Sequence, residues 1–170
     1  MSTETQEPVE MGTKPGAEHE WLQRLVGEWR TEAEMTMGPD SPPMKATGTE
    51  SVKSMGGLWA AGEGTSTMPD GSVMEYRSAL GYDVSFKEYR GCWYASMSSH
   101  LWKRTGTLSA DGNTMTLDCV GPNMEIDGET ANYRDVIQVV DQDHLILTSS
   151  GEDQNGQYIP YMTVHYYRTK

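Results

Sequence analysis

Apolar and polar residues recur with two different periods along the chain, first helical and then alternating. Residues 18–26 have a helical period, with one apolar face formed by Trp21, Leu22, Leu25 and Val26. Gly27 follows, and glycine is common directly after the end of a helix. From there the period becomes two, which predicts a strand whose buried face is made by Trp29, Thr31, Ala33, Met35 and Met37.

The rest of the chain consists of short alternating segments that are separated by turn residues. Prolines, glycines and Asp-Gly or Asn-Gly pairs mark the connections, for example at residues 38–43, 68–72 and 110–113. The pattern predicts about ten strands, at residues 28–37, 44–55, 58–67, 73–82, 89–97, 101–108, 114–120, 133–140, 144–149 and 158–168. A sheet of this length closes on itself because closure removes its unpaired edges. The sequence therefore predicts an all-β fold, a single antiparallel up-and-down barrel, with the short N-terminal helix capping one end.

The chain divides into a short tail and one folded domain. Residues 1–17 contain prolines, glycines and several glutamates with little to bury, which predicts a disordered or loosely attached acidic tail. Residues 18–170 are long enough to bury the core of a single domain. No apolar run could span a bilayer or serve as an export signal, so we expect a cytoplasmic protein without membrane insertion.

The formal net charge of −12 restricts the partners that the protein can attract. Such an acidic surface repels phosphate backbones and anionic lipids, so we expect no nucleic-acid partner and interpret the acidity as a contribution to solubility. Cys92 and Cys119 form neither a disulfide framework nor a metal-binding spacing. Both are predicted to be small buried residues that pack as hydrophobes.

Three stretches of the sequence together resemble a known family. The first is the Glu-Trp-Leu-x-x-Leu-Val-Gly-Glu-Trp run of residues 20–29. The second is residues 81–83 with Tyr89, Gly91 and Trp93, and the third is residues 106–108 followed by residues 111–117. The combination resembles a bacterial family known as domain of unknown function 1579. Its opening Gly-x-Trp is similar to the start of the lipocalin-type barrels of the calycin group, in which a short helix closes one barrel end. The resemblance covers residues 18–168. It implies a calycin-like barrel, and it implies no established activity and no catalytic residues.

The usual signatures of catalytic and cofactor-binding sites are absent from the sequence. There is no phosphate loop, no dinucleotide fingerprint, no His-Glu-x-x-His, no Cys-x-x-Cys and no nucleophile elbow. We therefore expect no metal and no cofactor, and a binding protein is favoured over an enzyme.

The scattered histidines are predicted to have surface or hydrogen-bonded structural roles. His165 needs separate treatment, since haem-binding barrels called nitrobindins are broadly similar and use a histidine late in the chain as the iron ligand. This sequence departs from their pattern after Trp29, where Arg-Thr-Glu-Ala replaces a Gly-rich continuation. Alternation also points His165 outward, because the apolar face is formed by Met162, Val164 and Tyr166. Haem binding, which requires an inward axial ligand, is therefore not expected.

Side chains that alternate into the barrel are the candidates for a binding site. Aromatic residues and methionines form a mostly apolar wall with a few polar groups, and methionine adapts well to varied ligands. The predicted ligand-binding residues are Met35, Met37, Met74, Tyr76, Tyr82, Tyr89, Trp93, Met97 and Arg134. Arg134 belongs to a set of side chains that could meet a ligand carboxylate, with Arg77, His100 and Arg104. The alternative is that the aromatic residues form an ordinary filled core and the arginines a solvated outer face.

These observations predict a protein that binds a small, largely apolar ligand, fatty-acid-like or another lipophilic metabolite, in a barrel cavity. Two other functions stay open. One is an isomerase or cyclase that acts on a lipophilic substrate and uses a tyrosine or histidine as acid or base. The other is a non-catalytic interaction module with a filled core, including a homodimer joined through its acidic outer face or an open edge.

Overall fold

A computed structural model describes residues 12–36 and 38–170 of the chain. Within these residues an α-helix, α1 (Ala17–Leu22), continues into a 3₁₀ turn (Gln23–Leu25), and together they form what we call the helix plug. The ten strands that follow are β1 (Gly27–Met35), β2 (Met44–Met55), β3 (Trp59–Thr67), β4 (Val73–Asp83), β5 (Glu88–Ala95), β6 (Trp102–Leu108), β7 (Thr114–Pro122), β8 (Thr130–Asp141), β9 (His144–Glu152) and β10 (Tyr158–Arg168).

Every strand pairs in antiparallel fashion with its neighbours in sequence, and β1 pairs with β10 to close the barrel. The predicted all-β, up-and-down barrel of about ten strands with a short N-terminal helix is therefore confirmed. Residues 1–11 of the predicted tail lie outside the described residues, and residues 12–16 are exposed and lead into α1. Within the described part of the chain, no helix is both long and apolar enough to cross a membrane.

The helix plug closes the barrel end at which β1 begins. Trp21 and Leu22 are buried, with 6% and 0% of their surface exposed. The indole of Trp21 donates a hydrogen bond of 2.8 Å to the carbonyl oxygen of Gly112, in the turn between β6 and β7. The Tyr89 hydroxyl donates a hydrogen bond of 2.8 Å to the carbonyl oxygen of Glu18. Apolar burial and hydrogen bonds to strand ends thus hold the plug in place.

His19 is a second anchor of the plug and is only 2% exposed. The backbone N–H of Gly16 donates to its Nδ1 over 3.0 Å, and its Nε2 lies 3.1 Å from the carbonyl oxygen of Tyr82. Because Nδ1 accepts a hydrogen bond, Nε2 carries the proton and donates to Tyr82. The hydrogen-bonded structural role predicted for the histidines describes this one well.

The hydrophobic core lies directly beneath the plug. Trp29 is 2% exposed and donates from its indole nitrogen to the carbonyl oxygen of Leu25 over 2.9 Å. Its ring meets that of Tyr166 edge-on, with centroids 6.4 Å apart. The core also includes Leu80, Tyr89, Met115, Leu117, Val139 and Leu145, which project from alternate positions of five other strands. Thr31 and Cys119 are buried as well, so the predicted inward faces that start at Trp29 and at Met115 are confirmed at these buried positions.

Gly106 on β6 permits a close approach between two strands, because a Cβ atom there would overlap the carbonyl oxygen of Thr116 on β7. We predict that Gly106→Ala lowers the free energy of unfolding by about 1–3 kcal/mol, the usual cost of overpacking. Gly151→Ala on β9 is the matched control, since its Cβ would make only ordinary contacts with the Tyr133 ring. Urea denaturation of both variants measures the difference, and equal stability of the two would contradict the prediction.

Candidate functional site

The barrel interior contains a cavity of about 90 Å³ next to the helix plug. Leu25 of the plug and Trp29 are part of its wall. The remaining apolar wall is formed by Val52, Ala60, Leu80, Trp93, Ile137, Leu145 and Leu147. The polar part of the wall, which we call the inner polar cluster, consists of Glu50, Tyr76, Ser78, Arg104 and Tyr166.

Glu50 is the carboxyl group of this cluster. It extends inward from β2 and is only 6% exposed. The Tyr76 hydroxyl donates to its Oε2 over 3.1 Å, and the Ser78 hydroxyl donates to its Oε1 over 3.3 Å. Two glycines of β3 provide the space, since a Cβ atom at Gly62 would overlap the Glu50 carboxyl and one at Gly64 would overlap the Tyr76 ring. The carboxyl is thus held in a fixed position by its neighbours.

Burial dominates the electrostatics of the cluster. It raises the pKa of Glu50, while hydrogen bonds from Tyr76 and Ser78 and the positive charge of Arg104 act in the opposite direction. Burial also raises the pKa of Tyr76 and of Tyr166, and the negative charge of Glu50 adds to both effects. Both phenols therefore stay protonated at neutral pH and act as hydrogen-bond donors.

Arg104 on β6 is the cation of the cluster and is 7% exposed. Its Nη1 lies 3.4 Å from Oδ2 of Asp135, and its Nη2 lies 3.5 Å from the carbonyl oxygen of Cys92. Its Nε has no hydrogen-bond partner within the described residues. The Ser149 hydroxyl donates to Oδ1 of Asp135 over 2.6 Å and orients that carboxylate. Arg104 is therefore a buried guanidinium with two long contacts and one unpaired donor.

Four of the predicted ligand-binding residues lie in or near this part of the barrel. Tyr76 and Trp93 line the cavity, with their ring centroids 5.8 Å apart. Tyr82 and Tyr89 pack against each other beneath the helix plug, with centroids 5.0 Å apart, and belong to the hydrophobic core. A role for any of these residues in ligand binding stays a prediction.

Two of the predicted methionines, Met35 and Met74, lie toward the barrel end opposite the helix plug. Met35 is half-buried and is paired with Met44 on one side and Met162 on the other. Met74 is half-buried on β4. Met37 lies outside the described residues. The side chains of Met35 and Met74 are thus separated along their strands from the cavity at the plug.

Two predicted lining residues require correction. Met97 is 64% exposed, because β5 ends at Ala95 and the alternation does not continue into the following turn. Arg134 lies on the outer face of β8, where its Nε is 2.7 Å from Oδ1 of Asp118 and its guanidinium stacks on the Tyr158 ring. Its neighbours in sequence point inward, so alternation directs Arg134 outward.

Two further polar candidates, Arg77 and His165, lie on the outer face. Arg77 pairs with Glu63 there, over 3.1 Å. The ring of His165 lies 2.9 Å from that of His144 and stacks near Tyr167, so its predicted outward orientation is confirmed. In the described part of the chain, no three His, Cys, Asp or Glu side chains are grouped so as to hold a metal ion.

The sequence prediction missed Glu50 and Tyr166 as members of the site. A signal was present for both, since Glu50 shares an alternating face with Ala46, Gly48 and Val52, and Tyr166 shares one with Val164. Arg104 was considered as a carboxylate-binding candidate, and it is the member of that set that lines the cavity. Arg104 can be identified from the sequence because it is a charged residue on a strand face whose other residues are small or apolar.

The closed ten-stranded barrel, its helix plug and its partly polar cavity define a calycin-like barrel protein. A family model described as "Protein of unknown function (DUF1579)" matches residues 14–168, and the chain belongs to this family. The family resemblance noted in the sequence is therefore confirmed. A search of curated proteins found no match.

Two solved structures share the fold of this chain. Rv2717c from M. tuberculosis is 13% identical with a TM-score of 0.67, and the match covers 92% of this chain and 100% of that one. The S-type phycobiliprotein lyase CPES from Guillardia theta is 12% identical with a TM-score of 0.59, covering 92% of this chain and 99% of that one. At this level of identity the similarity shows a shared fold.

Proposed function

We propose that the barrel binds a small, largely apolar molecule that carries one polar group. The observation that supports this is the cavity beside the helix plug, whose wall is apolar on most sides and polar at the inner polar cluster. Ligand sites commonly combine an apolar wall with a few polar groups that fix the orientation of the ligand. Burial of the apolar part contributes about 25 cal/mol per Å² before the costs of association.

The cavity volume limits the size of the proposed ligand. At about 90 Å³ it is smaller than a typical ligand pocket and too small to enclose a long fatty acid chain. An engineered cavity of about 150 Å³ takes up benzene, so we propose a compact molecule of about four to six non-hydrogen atoms. Butanoate, 1-butanol and butylamine are suitable probes because they share one apolar chain and differ in the polar group.

The proposal is tested by filling the cavity. Ala60 lines the cavity and is 4% exposed, so the larger side chain in Ala60→Leu should occupy the space that the ligand needs. We expect wild-type protein to bind at least one of the three probes, with shifts in the NMR signals of the Trp29 and Trp93 indoles, which line the cavity. We expect Ala60→Leu to weaken that binding at least about tenfold.

Ala61→Leu is the matched control, because Ala61 directly follows Ala60 on β3 and its side chain alternates to the outer face. It should bind the probes as the wild type does. Circular dichroism checks that both variants are folded. The proposal is wrong if no probe perturbs the indoles, or if the two variants bind equally well.

A further inference from the structure

The wall of the cavity is built from strands except at one point. Among the described residues that line it, Leu25 is the one that lies outside the ten strands. The strand residues are held by the hydrogen-bond ladders of a closed barrel, so they cannot move apart without unpairing the sheet. Leu25 belongs to the 3₁₀ turn, and 3₁₀ turns have poorer hydrogen-bond geometry than α-helices. The segment of residues 23–26, which we call the plug turn, is therefore the part of the wall that moves most easily.

The plug turn is also less buried than the helix that precedes it. Trp21 and Leu22 of α1 are buried, whereas Gln23 and Arg24 are exposed and Leu25 is half-buried. Displacing the plug turn alone therefore uncovers little apolar surface, and the free-energy cost of such a movement grows with the apolar area that is uncovered. The helix α1 provides the fixed end of the segment, because its buried side chains hold it on the barrel.

Three hydrogen bonds from side chains hold the plug turn closed, one at each of three consecutive carbonyl oxygens. Arg168 donates from Nη2 to the carbonyl oxygen of Arg24 over 2.9 Å, and from Nη1 to that of Val26 over 2.5 Å. The indole of Trp29 donates to the carbonyl oxygen of Leu25, between these two, over 2.9 Å. Carbonyl groups at the end of a helix lack partners within the helix, and a basic side chain is one of the groups that can satisfy them.

Arg168 connects the plug turn to a neighbouring turn at the same end of the barrel. Its Nε donates to the carbonyl oxygen of Gln142 over 2.8 Å and lies 3.6 Å from Oδ1 of Asp143, both in the turn between β8 and β9. Its guanidinium also lies over the Trp29 ring, 4.1 Å from the centroid. One side chain at the end of β10 thus ties the plug turn to the rest of the barrel.

Gly27 lies at the junction between the plug turn and β1. Its φ of +146° belongs to a region of backbone conformation that glycine adopts readily and other residues rarely adopt. A Cβ atom at this position would also overlap Nη1 of Arg168. The glycine therefore lets the chain change direction here and leaves room for the guanidinium, as a hinge beside a latch requires.

Resting on the proposed function, we propose that the ligand enters and leaves the cavity through the plug turn, with Gly27 as the hinge and Arg168 as the latch. In the closed state, the Leu25 side chain completes the cavity wall. In the open state, the hydrogen bonds from Arg168 and Trp29 to the plug turn are broken and Leu25 moves out of the wall. The helix α1 and the ten strands stay in place. Lid movements of this kind control ligand exchange in many enzymes.

Hydrogen exchange at the Trp29 indole reports the opening, because this N–H is bonded to the Leu25 carbonyl in the closed state. NMR gives its protection factor, the ratio of the exchange rate of a free indole to the measured rate. In the wild type, we expect a lower protection factor there than at the backbone N–H of Leu117, which lies on β7 with 0% of its surface exposed. Low urea concentrations should leave the indole rate unchanged, because a local opening exposes little surface. Equal protection of the two groups with the same urea dependence overturns the inference without any variant.

Arg168→Met removes the latch and retains a long apolar side chain beside Trp29. It takes away two hydrogen bonds from a charged donor, so the Trp29 indole should exchange at least about tenfold faster than in the wild type, relative to the Leu117 amide. For whichever of 1-butanol, butanoate and butylamine binds, the association and dissociation rate constants should both rise by that factor. The Kd should stay unchanged, because Arg168 is not part of the cavity wall. NMR exchange spectroscopy measures these rate constants.

Arg30→Met is the matched control. Arg30 lies on the outer face of β1 directly after Trp29, where it pairs with Glu32 and its guanidinium lies 4.7 Å from the centroid of the Tyr167 ring. These contacts do not involve the plug turn. Indole exchange and probe exchange in this variant should therefore match the wild type. Equal acceleration in the two arginine variants overturns the inference.

The probe measurements separate this inference from the proposed function. Faster indole exchange in Arg168→Met without faster exchange of a bound probe means that the ligand uses another route, which overturns the inference and leaves the proposed function standing. If no probe binds to the wild type, the proposed function fails, whereas the indole exchange rate still decides whether the plug turn opens.

Discussion

Trp29→Ala should lower the free energy of unfolding by about 3–5 kcal/mol, the usual cost of truncating a large buried aromatic residue. Trp29 is 2% exposed, and its removal would enlarge the cavity that its ring already borders. The substitution also removes the hydrogen bond to the Leu25 carbonyl and the contact with the Arg168 guanidinium, which lies 4.1 Å from the ring. Because single domains are stable by only about 5–15 kcal/mol, such a loss is a large part of the total.

Urea denaturation followed by circular dichroism measures this effect. Phe86→Ala is the control, since Phe86 is also aromatic but is 63% exposed, in the turn between β4 and β5. Its ring contacts the Arg90 guanidinium, 3.6 Å from the ring centroid, so truncation should lower stability by no more than about 1 kcal/mol, as is usual for an exposed cation–π contact. A loss at Trp29 that does not exceed the loss at Phe86 would mean that the helix plug does not depend on this ring.

Arg104→Met should destabilise the fold by about 3–5 kcal/mol at neutral pH, the range observed when one partner of a buried ion pair is removed. Methionine retains a long apolar stem, so the loss is mainly electrostatic. Without the guanidinium, the carboxylate of Asp135 keeps its hydrogen bond from Ser149 but has no cation beside it. Glu50 likewise loses the positive charge that favours its ionised form.

The loss of stability in the Arg104→Met variant should depend on pH in a defined direction. The pKa of Glu50 is already raised above its ordinary value of 4.5, and loss of Arg104 raises it further. A carboxyl whose pKa is higher in the folded than in the unfolded state favours folding at low pH, and this contribution is lost as the pH rises through the folded-state pKa. The loss of stability caused by Arg104→Met should therefore be smallest near the ordinary pKa of Glu50 and should grow toward neutral pH.

Arg134→Met is the control for Arg104→Met, because it removes the same charge from the outer face and not from the interior. Arg134 pairs with Asp118 on the outer face, where ion pairs contribute about 0–1 kcal/mol, so a small and nearly pH-independent change is expected. The double variant Arg104→Met with Asp135→Asn should recover part of the lost stability, since it also removes the isolated carboxylate. Equal stability of the two single arginine variants would exclude a buried ionic role for Arg104.

The inner polar cluster is an unusual feature for a core whose only role is to hold the barrel together. Replacing a buried ion pair with well-packed apolar side chains is often neutral or stabilising. Here the cluster faces a cavity, which fits the proposal that the polar groups orient a ligand.

The sequence by itself determined the architecture. A helical period that ends at Gly27 and a period of two from Trp29 onward are local properties, and turn residues separate the alternating segments. The number of strands and the closure of the sheet follow from those properties, because an amphipathic meander has to bury one face and remove its edges. The positions of Trp29, Tyr76 and Leu117 in the interior follow from alternation alone.

Only the tertiary structure decided which side chains meet in the site. Glu50, Arg104 and Asp135 come from β2, β6 and β8, and no local pattern reports their proximity across the barrel. Strand ends were decided by turn geometry, which placed Met97 outside β5. The cavity volume was decided by the packing of all the inward side chains together, and this sum cannot be read from any one segment. Periodicity thus specifies which face of a strand is buried, whereas register and packing specify what that face contacts.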